Sequence, residues 1–182
     1  MVKKKLGDFI EEYSVKNKNN KPYPVYSISN SIGFCTEYFN KDVSSKNKRT
    51  YKIVPKGYFA YNPSRINVGS IDYQRFEDYV IVSPLYVVFK TKNSLKQEYL
   101  KYFFKSNYGM HLINSNTSGS VRASLKFNVL SEFKVNFGSV EEQNKVIKVL
   151  NNLKDVLNNL ESQLALYDEL IKSRFNGQEV NK

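Results

Sequence analysis

Apolar residues recur in an unbroken four-three spacing along the C-terminal part of the chain. They are Val146, Leu150, Leu153, Leu157, Leu160, Leu164, Tyr167 and Ile171. This spacing is the a/d pattern of a coiled coil. Ser139 followed by Glu142 forms a capping box, at which a helix can begin. The sequence therefore predicts one helix over 140–175, roughly 50 Å long at ~1.5 Å per residue.

A long helix with one narrow apolar stripe needs another helix to cover that stripe. The chain contains no second long heptad segment, so we expect the partner to be another copy or another protein. The alternative is that the helix folds back on the rest of the chain. A strict 3.5-residue period argues against it, because the face of a helix docked in a globular domain is wider.

The preceding part of the chain has the pattern of a β-rich domain, in which short apolar and aromatic runs alternate with Lys, Asn, Ser and Gly. Strands are predicted at 23–28, 34–39, 51–54, 58–61 and 133–137. The run 79–90 predicts a bulged or edge strand, or two strands end to end around Pro84. Helices are predicted at 5–13, at 95–106 after a capping box of Ser94 and Gln97, and at 107–114, with a polar loop at 116–127.

Together these elements predict an α+β chain in which a β-rich domain precedes one long coiled-coil helix. We expect the domain over 1–138, the helix over 139–175 and a flexible tail over 176–182. Residues 1–139 hold 22 Lys and Arg against 10 Asp and Glu, a balance of +12, whereas 140–175 hold 5 against 6, a balance of −1. Such a split is typical of a polyanion-binding module with a separate structural part.

The sequence offers little from which to build a catalytic or metal site. The single cysteine, Cys35, can form no internal disulfide or zinc cluster and is predicted to be a buried small apolar residue. The single histidine, His111, is predicted to be a packed or surface residue. No Ser/His/Asp set and no GxxxxGK[ST] phosphate loop can be assembled. We therefore expect no catalysis, no cofactor and no metal.

The stretch Asn62-Pro63-Ser64-Arg65 is superficially similar to the Asn-Pro-Pro-aromatic motif of amino-methyltransferases. Its last two residues do not fit that motif, and no Gly-rich cofactor loop follows a strand, so we reject a methyltransferase domain. No apolar run approaches the ~20 residues that span a bilayer, and the N-terminus lacks the apolar region of a secretory signal. We expect a cytosolic protein with no membrane partner.

Basic, amide and hydroxyl side chains cluster in three loops, which suits nucleic acid. Lys and Arg neutralise phosphates, and Arg and Asn can each grip a base edge with two hydrogen bonds. The candidates are Lys46, Lys48 and Arg49 in the first loop; Asn62, Ser64, Arg65 and Asn67 in the second; and Ser118, Ser120, Arg122, Ser124 and Lys126 in the third. An ordinary solvated loop is an equally good interpretation of the first cluster. For Asn62, capping of its own turn is the alternative to a contact with DNA.

Three segments resemble the specificity subunits of type I restriction–modification systems. They are KLGDFIEEY (5–13), VPKGYFAYNPSRINVGSI (54–71), and SGSVRASLKFNVLSEFKVNFGSVEEQNKVIKVLNNLKDVLNNLE (118–161), where a short strand leads through a Glu-Gln pair into the long helix. The resemblance implies a non-catalytic subunit whose target recognition domain, here 1–138, reads one half of a split sequence in double-stranded DNA. It also implies that methyltransferase subunits dock on the long helix and that a restriction subunit joins the complex.

The chain departs from the family in having one recognition domain and one long helix, where a full subunit has two of each. It also lacks the usual proline before the Glu-Gln pair, reading NFGSVEEQ, which we expect to affect only the local turn. A natural half-subunit, one half of a shuffling locus and a truncated fragment are all compatible with this. We expect an antiparallel homodimer, or pairing with a second half-subunit, through the heptad seam. The alternative function is a non-catalytic coiled-coil interaction protein whose basic charge reflects composition.

Overall fold

A computed structural model describes residues 3–36, 47–117 and 124–176. The strands in these ranges are β1 (Lys4–Lys5), β2 (Ile10–Glu12), β3 (Ser27–Ser29), β4 (Gly33–Cys35), β5 (Lys52–Pro55), β6 (Phe59–Tyr61), β7 (Ile71–Tyr73), β8 (Tyr79–Val82), β9 (Val87–Thr91) and β10 (Lys134–Val135). The helices are α1 (Gln97–Lys105), α2 (Asn107–Thr117), α3 (Phe127–Ser131) and α4 (Val140–Asn176). The predicted α+β architecture, a β-rich region followed by one long helix, is confirmed.

The chain divides into two compact units, Met1–Gln143 and Asn144–Lys182. In the first unit the described strands form small antiparallel sheets. The largest has the order β2-β9-β6-β7, and the others are the pairs β1-β10, β3-β4 and β5-β8. Chain order and sheet order differ, because β9 returns to lie between β2 and β6.

Both faces of the largest sheet are buried, which explains the dense apolar runs in its strands. Successive side chains of a strand point to opposite faces. Phe59 and Tyr61 of β6 therefore lie in one apolar cluster, and Ala60 between them lies in the other. Phe59 pairs with Phe89 of β9, and their rings stack with centroids 4.9 Å apart. Each fully buried aromatic side chain of this kind contributes roughly 1.5–3 kcal/mol to folding.

Helices α1, α2 and α3 cover one face of this sheet. Their buried residues Leu100, Phe104, Ile113 and Leu130 join the cluster that contains Phe59. The other face is covered by β3, β4, β5 and β8, whose apolar side chains form the second cluster. Helical and strand elements thus enclose the sheet from opposite sides, and the connecting loops lie at its edges.

The helix predicted at 5–13 is wrong. The segment forms β1, a 3₁₀ turn at Leu6–Asp8 and β2. Leu6 and Ile10 are both buried, as a helical pattern requires. The backbone of the segment, however, forms hydrogen bonds with two strands that lie far away in the sequence. β1 pairs with β10, and β2 pairs with β9. Pairing with distant strands overrides the local helical pattern.

Strand β7 and helix α3 were not predicted. The other elements follow the predictions with shifted ends. The run 79–90 is two strands, β8 and β9, separated around Pro84. The strand predicted at 23–28 reduces to β3 with an isolated bridge between Val25 and Ile81, and of the strand predicted at 34–39, residues 37–39 lie outside the described ranges. Strands predicted at 51–54, 58–61 and 133–137 correspond to β5, β6 and β10, and helices predicted at 95–106, 107–114 and 140–175 correspond to α1, α2 and α4.

One predicted cap is wrong and one is confirmed. Helix α1 has Lys96 at its N-cap, without a side-chain hydrogen bond from the predicted Ser94–Gln97 box. At the start of α4, the Ser139 N–H donates to the Glu142 carboxylate at 2.7 Å, and the Glu142 N–H donates to Ser139 Oγ at 3.3 Å. This is the reciprocal pattern of a capping box.

Candidate nucleic-acid interface

The loop between β6 and β7 is closed by its own backbone. The Asn62 N–H donates to the Ser70 carbonyl at 3.2 Å, and the Ser70 N–H donates to the Arg65 carbonyl at 3.2 Å. Asn62 Oδ1 accepts from the Ser64 N–H at 3.0 Å, which is the Asx turn that asparagine favours. The half-buried Asn62 thus shapes the turn, while Ser64, Arg65 and Asn67 are exposed.

Two buried residues fix this loop to the domain. Ile66 is fully buried in the apolar cluster that contains Phe59. Buried Ser70 donates from Oγ to the Ile28 carbonyl of β3 at 2.7 Å. Gly69 closes the turn in the left-handed region at φ +92°, a conformation that other residues rarely adopt. The exposed side chains therefore project from a rigid base.

Arg65 is the exposed cation of this loop. Within the described ranges its guanidinium makes no hydrogen bond and no ion pair. It borders a cleft of ≈ 140 Å³ that is also lined by Asn30, Asn62, Val68 and Tyr86. With the backbone of Arg65 fixed and no partner for its guanidinium in the described part of the chain, its hydrogen-bond donors can serve a ligand.

The described end of the third predicted loop is held beside the second by the backbone of Leu125. The Leu125 N–H donates to the Pro63 carbonyl at 3.0 Å, and the phenol of Tyr61 donates to the Leu125 carbonyl at 3.0 Å. Burial raises the pKa of the Tyr61 phenol, with a smaller contribution from Glu12, so this donor stays protonated. Exposed Ser124 and Lys126 flank Leu125; Ser118, Ser120 and Arg122 lie outside the described residues.

The first predicted cluster lies on a different turn. Arg49 is exposed and Lys48 is half-buried, and Lys46 lies outside the described residues. The Lys48 N–H donates to Asn20 Oδ1 at 2.8 Å, and the Asn17 N–H donates to the Tyr51 carbonyl at 2.9 Å. These hydrogen bonds join the first cluster to the 16–21 loop, whereas the Leu125 N–H joins the described end of the third loop to the second.

Sequence reasoning missed the basic residues against which this turn packs. Lys16, Lys18 and Lys21 are exposed on the loop that Asn17 and Asn20 organise. The run KNKNNK at 16–21 was the available signal, but the general enrichment of Lys and Asn in this chain obscured it. Together with Lys48 and Arg49, they extend the positive surface well beyond the three predicted loops.

Arg75, which follows β7, is a cation with a structural role. Buried Asp72 pairs with Arg75 at 2.9 Å and lies 3.8 Å from Lys101 Nζ. Burial disfavours the charge on Arg75, but the adjacent Asp72 carboxylate outweighs it, and the pKa of the guanidinium rises. Arg75 also lies over the Tyr73 ring at 4.8 Å. It is therefore unavailable to a ligand, in contrast to Arg65.

The isolated reactive residues have structural positions. Cys35 is buried in β4, as predicted, and His111 is exposed on α2. In the described part of the chain, no three His, Cys, Asp or Glu residues are placed to hold a metal ion. Over the same ranges, no helix has the length and apolar character to cross a membrane.

All eight predicted seam residues lie on α4, and most of them are exposed. Leu150 is half-buried, whereas Val146, Leu153, Leu157, Leu160, Leu164, Tyr167 and Ile171 are each 42–64% exposed. Val149, Val156 and Leu170, one position before alternate seam residues, are also exposed, and sequence reasoning missed them. The apolar face of α4 is therefore wider than a strict a/d seam.

A family model matches most of the chain, from residue 1 to 166. Its description is type I restriction modification DNA specificity domain. This chain belongs to that family. The match covers the β-rich region and continues into α4. No curated protein matches the chain.

Two solved structures share the fold of this specificity-domain chain. The HsdS subunit from Thermoanaerobacter tengcongensis has a TM-score of 0.61 at 13% identity, with 87% of this chain and 43% of that chain covered. A chain from a structure described as "Structural basis underlying complex assembly and conformational transition of the type I R-M system" has a TM-score of 0.56 at 14% identity, with 86% and 38% covered. The chain thus spans about two-fifths of the length of these relatives.

Proposed function

We propose that this chain is the DNA-reading part of a type I restriction–modification specificity subunit and is not itself an enzyme. Its region 1–138 reads one half-site of a split sequence in double-stranded DNA, and α4 provides the contact with a second copy or second half-subunit. The methyltransferase and restriction subunits supply the chemistry, without a cofactor or metal bound by this chain, and the complex acts in the cytoplasm, where its DNA lies. Membership of the specificity-domain family supports the class of function.

The observation that carries the proposal is that hydrogen bonds fix the backbone of the 62–70 loop around Arg65 and leave the exposed side chains of the loop unused. Hydrogen bonds within the 62–70 loop and from Leu125 are made by main-chain atoms, by Asn62, or by the buried side chains of Tyr61 and Ser70. The exposed Ser64, Arg65 and Asn67 take no part in them through their side chains. Rigidly held donors and acceptors of mixed type suit base edges. Neighbouring Ser124 and Lys126 extend the same surface with a hydroxyl and an ammonium group.

The width of the apolar face on α4 supports the assembly part of the proposal. A two-stranded coiled coil buries chiefly the a and d positions, so Val149, Val156 and Leu170 would stay partly exposed in a simple dimer. A face of this width fits packing against more than one helix. The second copy and a helix of a methyltransferase subunit would together cover it.

The test of the proposal is selection from a pool of randomised duplexes. We expect the wild-type chain to enrich a defined sequence. Arg65→Ala should relax preference at one or two positions, at a cost of about 1–3 kcal/mol for the preferred base. Arg49→Ala is the comparison, because it removes the same charge from the first predicted cluster instead of the 62–70 loop. It should weaken binding to all sequences alike.

The alternative function predicts a different result. An interaction protein whose charge reflects composition would form stable dimers and enrich no sequence, with weak binding that Arg65→Ala and Arg49→Ala change equally. Normal selection by Arg65→Ala would keep DNA reading but overturn the role of this loop.

A further inference from the structure

We propose that the surface made by the 16–21 loop and the 47–51 turn is a second DNA contact, one that grips the sugar-phosphate backbone without reading bases. The inference rests on the proposed function and assigns a role to Lys16, Lys18 and Lys21. With Lys48 and Arg49 they form the backbone-gripping surface.

The 16–21 loop is built around a buried amide. Asn17 is 1% exposed. Its Nδ2 donates to the Lys21 carbonyl at 2.9 Å, and its Oδ1 accepts from the Lys21 N–H at 2.9 Å. Asn20 has φ +50°, a left-handed conformation that asparagine tolerates better than most residues. These contacts hold the loop in one shape with the side chains of Lys18 and Lys21 outside it.

Three contacts join this loop to the 47–51 turn and the start of β5. Asn20 Oδ1 accepts from the Lys48 N–H, Asn17 N–H donates to Tyr51, and Lys16 forms a β-bridge with Lys52. The basic residues of the two segments therefore share one surface, although they are some thirty positions apart in the sequence. This is why the sequence alone presents them as unrelated lysine-rich loops.

The surface has the form and charge of a polyanion site. A concavity of ≈ 300 Å³ is lined by Lys16, Lys18, Lys21 and Tyr23, and Lys21 Nζ lies 5.9 Å from the centroid of the Tyr23 ring. Within the described ranges, none of the five cations of the backbone-gripping surface forms an ion pair. Like charges held close together repel one another, and a polyanion relieves that repulsion.

The neighbouring Lys52 is partly buried behind this surface. Its Nζ donates to the Tyr86 carbonyl at 2.6 Å. Burial lowers the pKa of Lys52, Glu12 counteracts that effect, and Lys16 adds to it. Lys52 is thus a supporting residue behind the surface, and the exposed lysines in front of it are the ones that can reach phosphate.

Phosphate and base contacts differ in what their loss does. The backbone-gripping surface contains ammonium groups and one guanidinium, which bind phosphate on any sequence. Asn17 uses both its amide nitrogen and its amide oxygen on the backbone of Lys21, and Asn20 uses its amide oxygen on the Lys48 N–H. Neither oxygen is therefore free for the two-bond grip of an asparagine on a base edge. The reading loop at 62–70 presents mixed polar groups instead. The two surfaces should therefore separate affinity from selectivity.

The experiment compares K18Q/K21Q with the wild-type chain on a selected duplex and on a random duplex, over a series of salt concentrations. Each phosphate contact contributes ~0.9 to the slope of log K against log salt. We expect the double variant to lower that slope by about 1.8 and to lose roughly thirty-fold affinity at 0.15 M salt for both duplexes. The ratio between the two duplexes should not change.

K145Q/K148Q is the matched control, since it removes the same charge from exposed positions of α4. K18R/K21R keeps the charge and should keep the affinity, which separates loss of charge from a damaged loop. Equal effects of K18Q/K21Q and the control pair would overturn the inference, as would a changed ratio between the duplexes. If the wild-type chain selects no sequence but K18Q/K21Q still lowers affinity and slope, the proposed reading function fails and the backbone contact stands.

Discussion

Asn62 shows how a single amide can belong to the scaffold of a binding loop instead of its contact surface. Its Oδ1 accepts from Ser64 and its backbone closes the loop onto Ser70 and Arg65. The side chain is half-buried, unlike its neighbours Ser64 and Arg65. Of the two interpretations that the sequence left open for this residue, the turn-capping one now has a hydrogen bond to support it.

Asn62→Ala should lower the free energy of unfolding by about 1 kcal/mol, the usual contribution of one such hydrogen bond. Asn62→Asp keeps an oxygen that accepts from Ser64 and should stay within about 0.5 kcal/mol of the wild type. Urea denaturation measures both. If Asn62→Asp retains stability and sequence selection while Asn62→Ala loses stability, the residue is a cap; lost selection in a stable Asn62→Asp would make it a reader.

At this scale the sequence indicated residue types better than residue roles. Burial of Cys35 followed from its chemistry and its neighbours. The commitment of Arg75 to Asp72 could not be predicted, because Asp72 is buried by the packing of distant strands. The lysines at 16–21 were equally hidden, since only the folded chain places them beside Lys48 and Arg49.

At the scale of the elements, the start of α4 is fixed by one buried side chain. Gln143 is fully buried. Its Oε1 accepts from the Lys96 N–H at 2.9 Å, and its Nε2 donates to the carbonyls of Ser94 at 2.9 Å and Gly138 at 3.0 Å. One side chain thus ties the approach to α1 to the first turn of α4, and it replaces the cap that Ser94 and Gln97 do not form.

Gln143→Leu should lower the free energy of unfolding by about 2 kcal/mol, because three backbone groups lose their partner and a leucine cannot replace it. Glu142→Gln is the matched control in the same turn. It is exposed and still accepts from Ser139, so its effect should stay below about 0.5 kcal/mol. Chemical denaturation followed by circular dichroism measures both, and equal losses in the two variants would contradict the assignment.

The elements differ in how well local pattern predicts them. Helix α4 was predicted to within a residue of its end, because a seven-residue period and a capping box are local signals. The segment at 5–13 carries a helical pattern of equal clarity over a shorter length, and it became two strands because β9 and β10 supply pairing partners. Short segments are decided by distant contacts, which a local pattern does not contain.

On the scale of the whole molecule, the proposed function gives the exposed face of α4 and the 62–70 loop complementary roles, one in pairing two copies and the other in reading DNA. An antiparallel pair of helices about 55 Å long, at ~1.5 Å per residue, would carry two reading surfaces on one duplex. Half-sites would then be inverted and separated by at least one helical turn of ~34 Å. We therefore expect selection by the wild-type chain to give an interrupted palindrome.

Leu157→Asp places a charge in the seam and should convert a dimer into a monomer. Leu166→Asp is the matched control, because Leu166 is similarly exposed, 65% against 58%, but lies outside the seam and the residues that widen it. Light scattering gives the mass, and selection by the monomeric variant should yield a single half-site. An unchanged mass for Leu157→Asp would rule out the seam as the contact between copies.

The hydrogen bonds that join the Leu125 backbone to the Pro63 carbonyl and to the buried Tyr61 phenol also bear on how such a protein can evolve. They hold the described end of the third loop against the 62–70 loop without using the side chains that face outward. Substitutions at exposed positions generally change stability by no more than about 0.5 kcal/mol. A lineage can therefore replace Ser64, Arg65, Asn67, Ser124 or Lys126 and keep the fold. If these side chains read DNA as proposed, new target sequences become accessible by point mutation with little cost in stability.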